Sequence, residues 1–390
     1  MSRKQKQYTP YFPYLPHFPC GHLFPKGECS LFALHSTYIR RKQCSHARLY
    51  HYLRRYFQPF YFWYGATEPH RVYEKGSWKR NGKSLDQVDV PGFLPDSEEV
   101  RGDMLDYAVE IEWADSHLSK MLEYLDSIGE LNNTIVIVTA DNGMPFPRAK
   151  ANCFEYGVHV PFAVSYPKGF PGKRRVDDPI SFVDIAPTIL EIAGGKPDGM
   201  LPISGRSFMN ILKSKKEGIV DQSKKYVYMG RERHSSSRWQ NLGYPQRAVR
   251  NQDYLLIWNL RPERWPAGAP QMLNKKTGEL CPMYGIGEDG TFHPDWAFTD
   301  VDDAPSKTFL IENHKDPVIR PYFDLAFNKR PEFELYCIGN DPFCLDNLIG
   351  KKDYAEIENE LKQALLEELK IPVWWDLTKK YLNPTSGTVR

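Results

Sequence analysis

Ile135-Val136-Ile137-Val138 is an unbroken β-branched run that stops at Thr139-Ala140-Asp141-Asn142-Gly143. Such a run reads as a strand buried on both faces, as in a parallel sheet with helices on either side. Its end sets a carboxylate and an amide side by side, followed by a glycine that lets the chain turn. In open α/β sheets, ligands gather just beyond the carboxyl ends of strands. Asp141 and Asn142 offer hard oxygen donors, which suit calcium or magnesium rather than a soft metal. An Asp-Asn-Gly sequence is also a common turn, with the side chains bonding their own backbone. Lys150 follows within the same segment, and Val160-Pro161-Phe162-Ala163-Val164 opens a second expected strand.

The flanking sequence supplies the expected scaffold. Asp96 to Ile128 carries apolar residues mostly three and four apart, a long amphipathic helix of crossover length with Gly129 at its end. Asp96 and Glu99 suggest a capping box, and Asp103, Asp106, Glu110 and Glu112 read as a solvated face. Upstream, Phe60-Tyr61-Phe62-Trp63-Tyr64 reads as an aromatic strand that delivers Pro69-His70-Arg71 at its end. Ser181 to Leu190 reads as a helix closed by Gly194-Gly195, with Asp184 structural. Beyond a lysine- and serine-bearing stretch at 213–225, Tyr226–Gly230 and Tyr254–Trp258 look like strands of a smaller sheet. The Arg/His-rich text between them reads either as a charged hairpin edge or as an anion-selective rim. Asp353 to Lys370 is a final amphipathic helix.

The run Asp141-Asn142-Gly143-Met144-Pro145-Phe146-Pro147, with Lys150, Glu155-Tyr156-Gly157 and Val160-Pro161 after it, resembles the sulfatase family, and within it heparan N-sulfatase-like (sulfamidase) members. The resemblance covers residues 59 to about 375. It implies an alkaline-phosphatase-like α/β fold, a mixed sheet flanked by helices with a smaller C-terminal α+β subdomain. It divides the chain into a catalytic part at 59–215 and a C-terminal part at 216–390. It implies hydrolysis of sulfate esters or sulfamates on a sulfated sugar or glycosaminoglycan fragment. Asp141 and Asn142 would hold calcium, Lys150 a sulfate oxygen, and His70 would serve the leaving group. Arg233 and His234 would contact substrate. The nucleophile of the family is formylglycine, made from the Cys or Ser of a Cys-x-Pro-Ser-Arg-like motif, and two consecutive acids complete the metal site.

Part of that set is missing from this sequence. No Asp-Asp pair precedes residue 59, and Cys44-Ser45-His46-Ala47-Arg48 has His where the motif requires Pro or Ala. The chain is therefore expected to be incomplete for the reaction. Residues 1–58 carry Glu28 as their one acid among many basic and aromatic residues. A nucleic-acid arm, a structural extension and an out-of-frame segment all remain open for them, and the abrupt return of acids afterwards favours the last. A phosphohydrolase of the same superfamily and a non-catalytic binder of sulfated glycans are the alternative functions. The net charge of +2 argues against a nucleic-acid or anionic-membrane partner, and no apolar stretch is long enough to span a bilayer. Seven scattered cysteines show neither zinc spacing nor the density of a disulfide scaffold. The prolines at 10, 13 and 16 break any apolar core near the start. The family setting is periplasmic, secreted or lysosomal, and the sequence leaves the compartment open.

Overall fold

A computed structural model describes residues 59–370, apart from 235–237, 239–240, 272–276, 278, 280 and 288, together with the backbone of Ser30–Phe32. The remainder of 1–58, including Cys44, lies outside the described residues, as does Pro372.

The apolar run forms β2 (Thr134–Thr139), in the middle of a three-stranded sheet ordered β1-β2-β3. β1 (Ser30–Phe32) lies parallel along residues 134–136, and β3 (Phe162–Ser165) runs antiparallel along 136–139. Burial follows that pairing. Ile135 and Val136 are buried, whereas Val138 is 40% exposed. The expectation of burial on both faces therefore holds for the first half of the strand only. The second half has a single described partner strand and opens onto a cleft.

Two helices lie between β1 and β2: α1 (Ser77–Arg80) and the long α2 (Glu98–Ser127). The N-cap of α2 is Ser97, whose hydroxyl accepts from the Val100 amide at 3.2 Å; Asp96 is bound instead by the Arg101 guanidinium. The aromatic run 60–64 is not a strand. Phe60 is buried against Leu125 of α2, and the segment pairs with no sheet among the described residues.

Past α3 (Glu155–Val158), α4 (Ile185–Ala193) follows a capping turn in which Asp184 accepts from the Ser181 and Arg206 amides and from Lys224. Asp184 is buried and structural. After α5 (Met209–Lys213) comes an antiparallel sheet in the order β4 (Val227–Arg231), β5 (Gln246–Arg250), β6 (Tyr254–Asn259), β7 (Phe333–Cys337). Residues 246–250 are thus an interior strand and not a charged hairpin edge. Their polar side chains find partners inside: Gln246 donates to Asn259 at 2.8 Å, and Arg247 pairs with Glu232.

Alternation along β6 gives the second sheet two covered faces. Leu256 and Trp258 pack on α8 (Ala355–Leu369) through Leu361, Leu365 and Leu369. Leu255 and Ile257 face Cys153 and Phe154, which belong to the segment that follows β2. Helices α6 (Pro305–Glu312) and α7 (Arg320–Phe327) form a third cluster around Phe298. No helix of the described residues is long and apolar enough to cross a membrane.

Candidate functional site

The turn after β2 is locked by backbone contact. A Cβ at Gly143 would lie 1.9 Å from the Tyr156 carbonyl oxygen, and one at Gly157 would lie 2.3 Å from that of Asn152. The Gly143 amide donates to the Gly157 carbonyl at 3.1 Å. Both glycines are required by close approach, and together they clamp the Asp-Asn-Gly turn to the Glu155-Tyr156-Gly157 turn. Asp141 is exposed at the strand end. The Asn142 amide donates to the Gly143 carbonyl at 2.8 Å, which leaves its carbonyl oxygen as the free end of the side chain.

Arg71 joins this turn to the His70 loop. Its guanidinium donates to both Asp103 oxygens of α2, at 2.7 and 2.9 Å, and to the Pro145 carbonyl at 2.8 Å. Its faces lie against Tyr73 and Phe146. Asp103 also accepts from the Ser306 hydroxyl at 2.7 Å, so α6 is tied to the same carboxylate. The reading of Asp103 and Asp106 as a solvated face is corrected, because both are 2% exposed. Asp106 accepts from the Gly76 and Trp78 amides and the Ser77 hydroxyl. Beside Arg71, His70 is exposed and its Nδ1 bonds the Arg71 carbonyl at 2.6 Å.

Lys150 is held by a carboxylate of its own. Its ammonium sits 2.8 Å from Asp302. Two residues earlier, Asp300 is 1% exposed at its side chain and binds Arg231, Arg238 and His234. Burial alone would raise the Asp300 carboxyl, but the His234 hydrogen bond and the charges of Arg231 and Arg238 outweigh it and hold it at about 2. Burial lowers Arg231 to about 10 in spite of Asp300. Arg231 also donates to the Ala151 carbonyl, next to Lys150. The 300–302 segment therefore brings Lys150 and His234 to one neighbourhood. Arg233 is exposed beside His234.

A cleft of about 700 Å3 opens beside the turn. α2 gives it Tyr107, Ile111 and Leu118; β2 and its turn give Val138 and Asn142; Glu155 and His159 close it. Among its described lining residues, Asn142 is the one member of the set His70, Asp141, Asn142, Lys150, Arg233 and His234. Those six accordingly do not all line the cleft: Asn142 does, Asp141 is exposed at the strand end, Lys150 and His234 meet Asp302 and Asp300, and His70 sits on the loop beside Arg71. Among the described residues, no group of three or more His, Cys, Asp or Glu side chains could hold a metal ion. The oxygens of Asp141 and Asn142 supply part of the roughly six to eight that calcium takes. The described residues do not by themselves make a calcium site.

Sequence reasoning missed the network behind this turn. Glu155 is buried and accepts from Arg250 at 2.8 and 2.9 Å and from His159 at 2.6 Å. Burial pushes its carboxyl up, and the His159 and Arg250 bonds more than reverse that, leaving it below the usual range. The Glu-x-x-x-His spacing on a helical turn was a readable signal. Arg250 was not readable, because it arrives from β5.

A sulfatase family model matches residues 2–195, and a model of the N-sulphoglucosamine sulphohydrolase C-terminal region matches residues 149–266. An ulvan-active sulfatase of Formosa agariphila is 26% identical over 305 residues, 77% of this chain and 44% of that protein. Human N-sulphoglucosamine sulphohydrolase is 28% identical over 191 residues, 46% of this chain and 36% of that protein. The chain thus spans less than half the length of these curated relatives. Among solved structures, one from Bacteroides thetaiotaomicron, described with the metabolism of multiple glycosaminoglycans, superposes with a TM-score of 0.55 at 18% identity. That match covers 86% of this chain and 60% of the other. A Bacteroides fragilis protein assigned as a sulfatase gives 0.53 at 15% identity, over 86% and 57%. These two likenesses are of fold.

Proposed function

Because the chain belongs to the sulfatase family, with matches that together run from residue 2 to residue 266, we propose that its site serves sulfate esters or sulfamates on sulfated sugars, in the manner of heparan N-sulfatases. The observation that carries this reading is the clamped turn at Gly143. It holds Asp141 and Asn142 at the end of β2, while Arg71 fastens the neighbouring His70 loop to the same turn.

In this reading Lys150 neutralises a sulfuryl oxygen, and the fixed cation gains strength from its half-buried setting. His70 passes a proton to the departing oxygen or nitrogen. Arg233 and His234 meet the sugar's anionic groups from the β4 side, where a guanidinium matches sulfate geometry. Asp141 and Asn142 would be two of the oxygen ligands of a divalent cation, whose chemistry when bound would be to add positive charge beside the sulfuryl group.

Calorimetric titration of the full chain with N-sulfoglucosamine in calcium tests the reading, with release of sulfate from that sugar and from an aryl sulfate followed in parallel. Lys150→Ala is expected to weaken binding about tenfold or more, the effect of losing one charge-assisted contact. Binding without turnover would leave a sulfated-glycan binder. An affinity unchanged in Lys150→Ala would remove the anion site from Lys150.

A further inference from the structure

The cleft beside Asn142 has a chemistry of its own. Among its described lining residues there is no Lys or Arg, while Glu68, Asp115 and Glu155 are present. Away from Asn142, a sulfate group entering it would meet carboxylates and, among the described residues, no lysine or arginine. Its walls are otherwise largely apolar and aromatic, with Tyr64, Tyr107 and Tyr156 among them. That composition, a few convergent polar groups on an apolar lining, is typical of a small-molecule site, and the carboxylates without lysine or arginine favour an uncharged occupant.

His159 is the polar group best held for contact with such a ring. Glu155 is 9% exposed at its side chain, and Arg250 grips both its oxygens. An ionised carboxylate can only accept, so the ring Nδ1 of His159 must be the donor in its 2.6 Å bond to Glu155. The Nδ1 side is thereby spent, and Nε2 is the atom left for a ligand. The imidazole itself is 68% exposed and lines the cleft. The backbone fixes it further, since the His159 amide donates to the Glu155 carbonyl at 2.9 Å.

The geometry points to this cleft as the seat of an uncharged, hydroxyl-bearing sugar unit, with His159 Nε2 as its hydrogen-bonding contact. The inference rests on the reading of the chain as a binder of sulfated sugars and divides the ligand between two places. The anionic group goes to the Lys150 side, and the uncharged ring goes to the cleft. Glu155 and Arg250 are positioning residues, acting through the imidazole they orient.

The test uses the full chain and two probes, the uncharged N-acetylglucosamine disaccharide and N-sulfoglucosamine, with dissociation constants from calorimetry. His159→Ala is expected to weaken the uncharged disaccharide about tenfold, the scale of one hydrogen bond to a ligand. His159→Gln should stay within about threefold of the parent, since its amide restores a donor and an acceptor. Lys150→Ala should leave the uncharged probe unaffected. Folding is not at issue in His159→Ala, because Glu155 keeps Arg250. Equal affinity in parent and His159→Ala would overturn the inference, as would equal losses in the Ala and Gln variants. A parent that ignores the uncharged probe but binds N-sulfoglucosamine through Lys150 would overturn this inference and leave the proposed function standing. Failure of both probes would overturn both.

Discussion

Asp300 collects Arg231, Arg238 and His234 on one nearly inaccessible carboxylate. Its carboxyl is depressed from 3.8 to about 2. A depressed acid contributes stability that is fully present above its unfolded value and is lost as pH falls through its folded value. The protein is therefore expected to lose roughly 2 kcal/mol through Asp300 between about pH 4 and pH 2. Urea unfolding at pH 7, 4 and 2.5 measures this. Asp300→Asn should be less stable than the parent at pH 7 by about 3–5 kcal/mol, the cost of leaving buried arginines without their acid. The gap should narrow at pH 2.5, and a gap constant across that range would contradict the account. Nothing in the text around Asp300 sets it apart from Asp302 and Asp303. Its importance is conferred by arginines 62 and 69 positions away. Asp141, Asn142 and Lys150 could be picked out because the motif that holds them is contiguous.

Helix α2 shows how an element can be read correctly and its faces misread. Apolar spacing located it to within two residues at its start, and one side chain away from its true cap. Periodicity could not tell that Asp103 and Asp106 point inward, because their partners are Arg71, Ser77 and Ser306, on other segments. The same limit hid β5, where the arginines suggested an edge: Glu232 lies 15 positions from Arg247, and Glu155 is 95 from Arg250. Asp103→Ala is expected to destabilise the protein by about 3–5 kcal/mol, because it strands the Arg71 guanidinium, 4% exposed, in the interior. The double replacement Arg71→Met, Asp103→Leu should recover a large part of that loss. Chemical denaturation of the two variants checks the pair. If the double variant is no more stable than the single one, charge stranding is not the cause.

At the scale of the molecule, the segment after β2 is fastened from the second sheet's side. Arg148 donates to the Cys344 and Leu325 carbonyls, Arg330 to Asn152 at 2.9 Å, and Arg231 to the Ala151 carbonyl. Cys153 and Phe154 are buried among Leu255, Ile257 and Tyr336. A fragment ending at residue 215 would expose that apolar surface and lose all of these arginine contacts. It is expected to lack a cooperative thermal transition, which calorimetry and amide exchange would show. A sharp transition in the fragment would mean that the first sheet stands alone.

Those fastenings bear on any attempt to reuse the turn. Transplanting Asp141 through Lys150 onto the strand end of another protein would carry over the letters of the motif and none of its anchorage. The grips on Pro145, Ala151 and Asn152 come from Arg71, Arg231 and Arg330 elsewhere in the chain, and the carbonyl that dictates glycine at 143 belongs to Tyr156. A faithful graft would have to bring a second sheet with it.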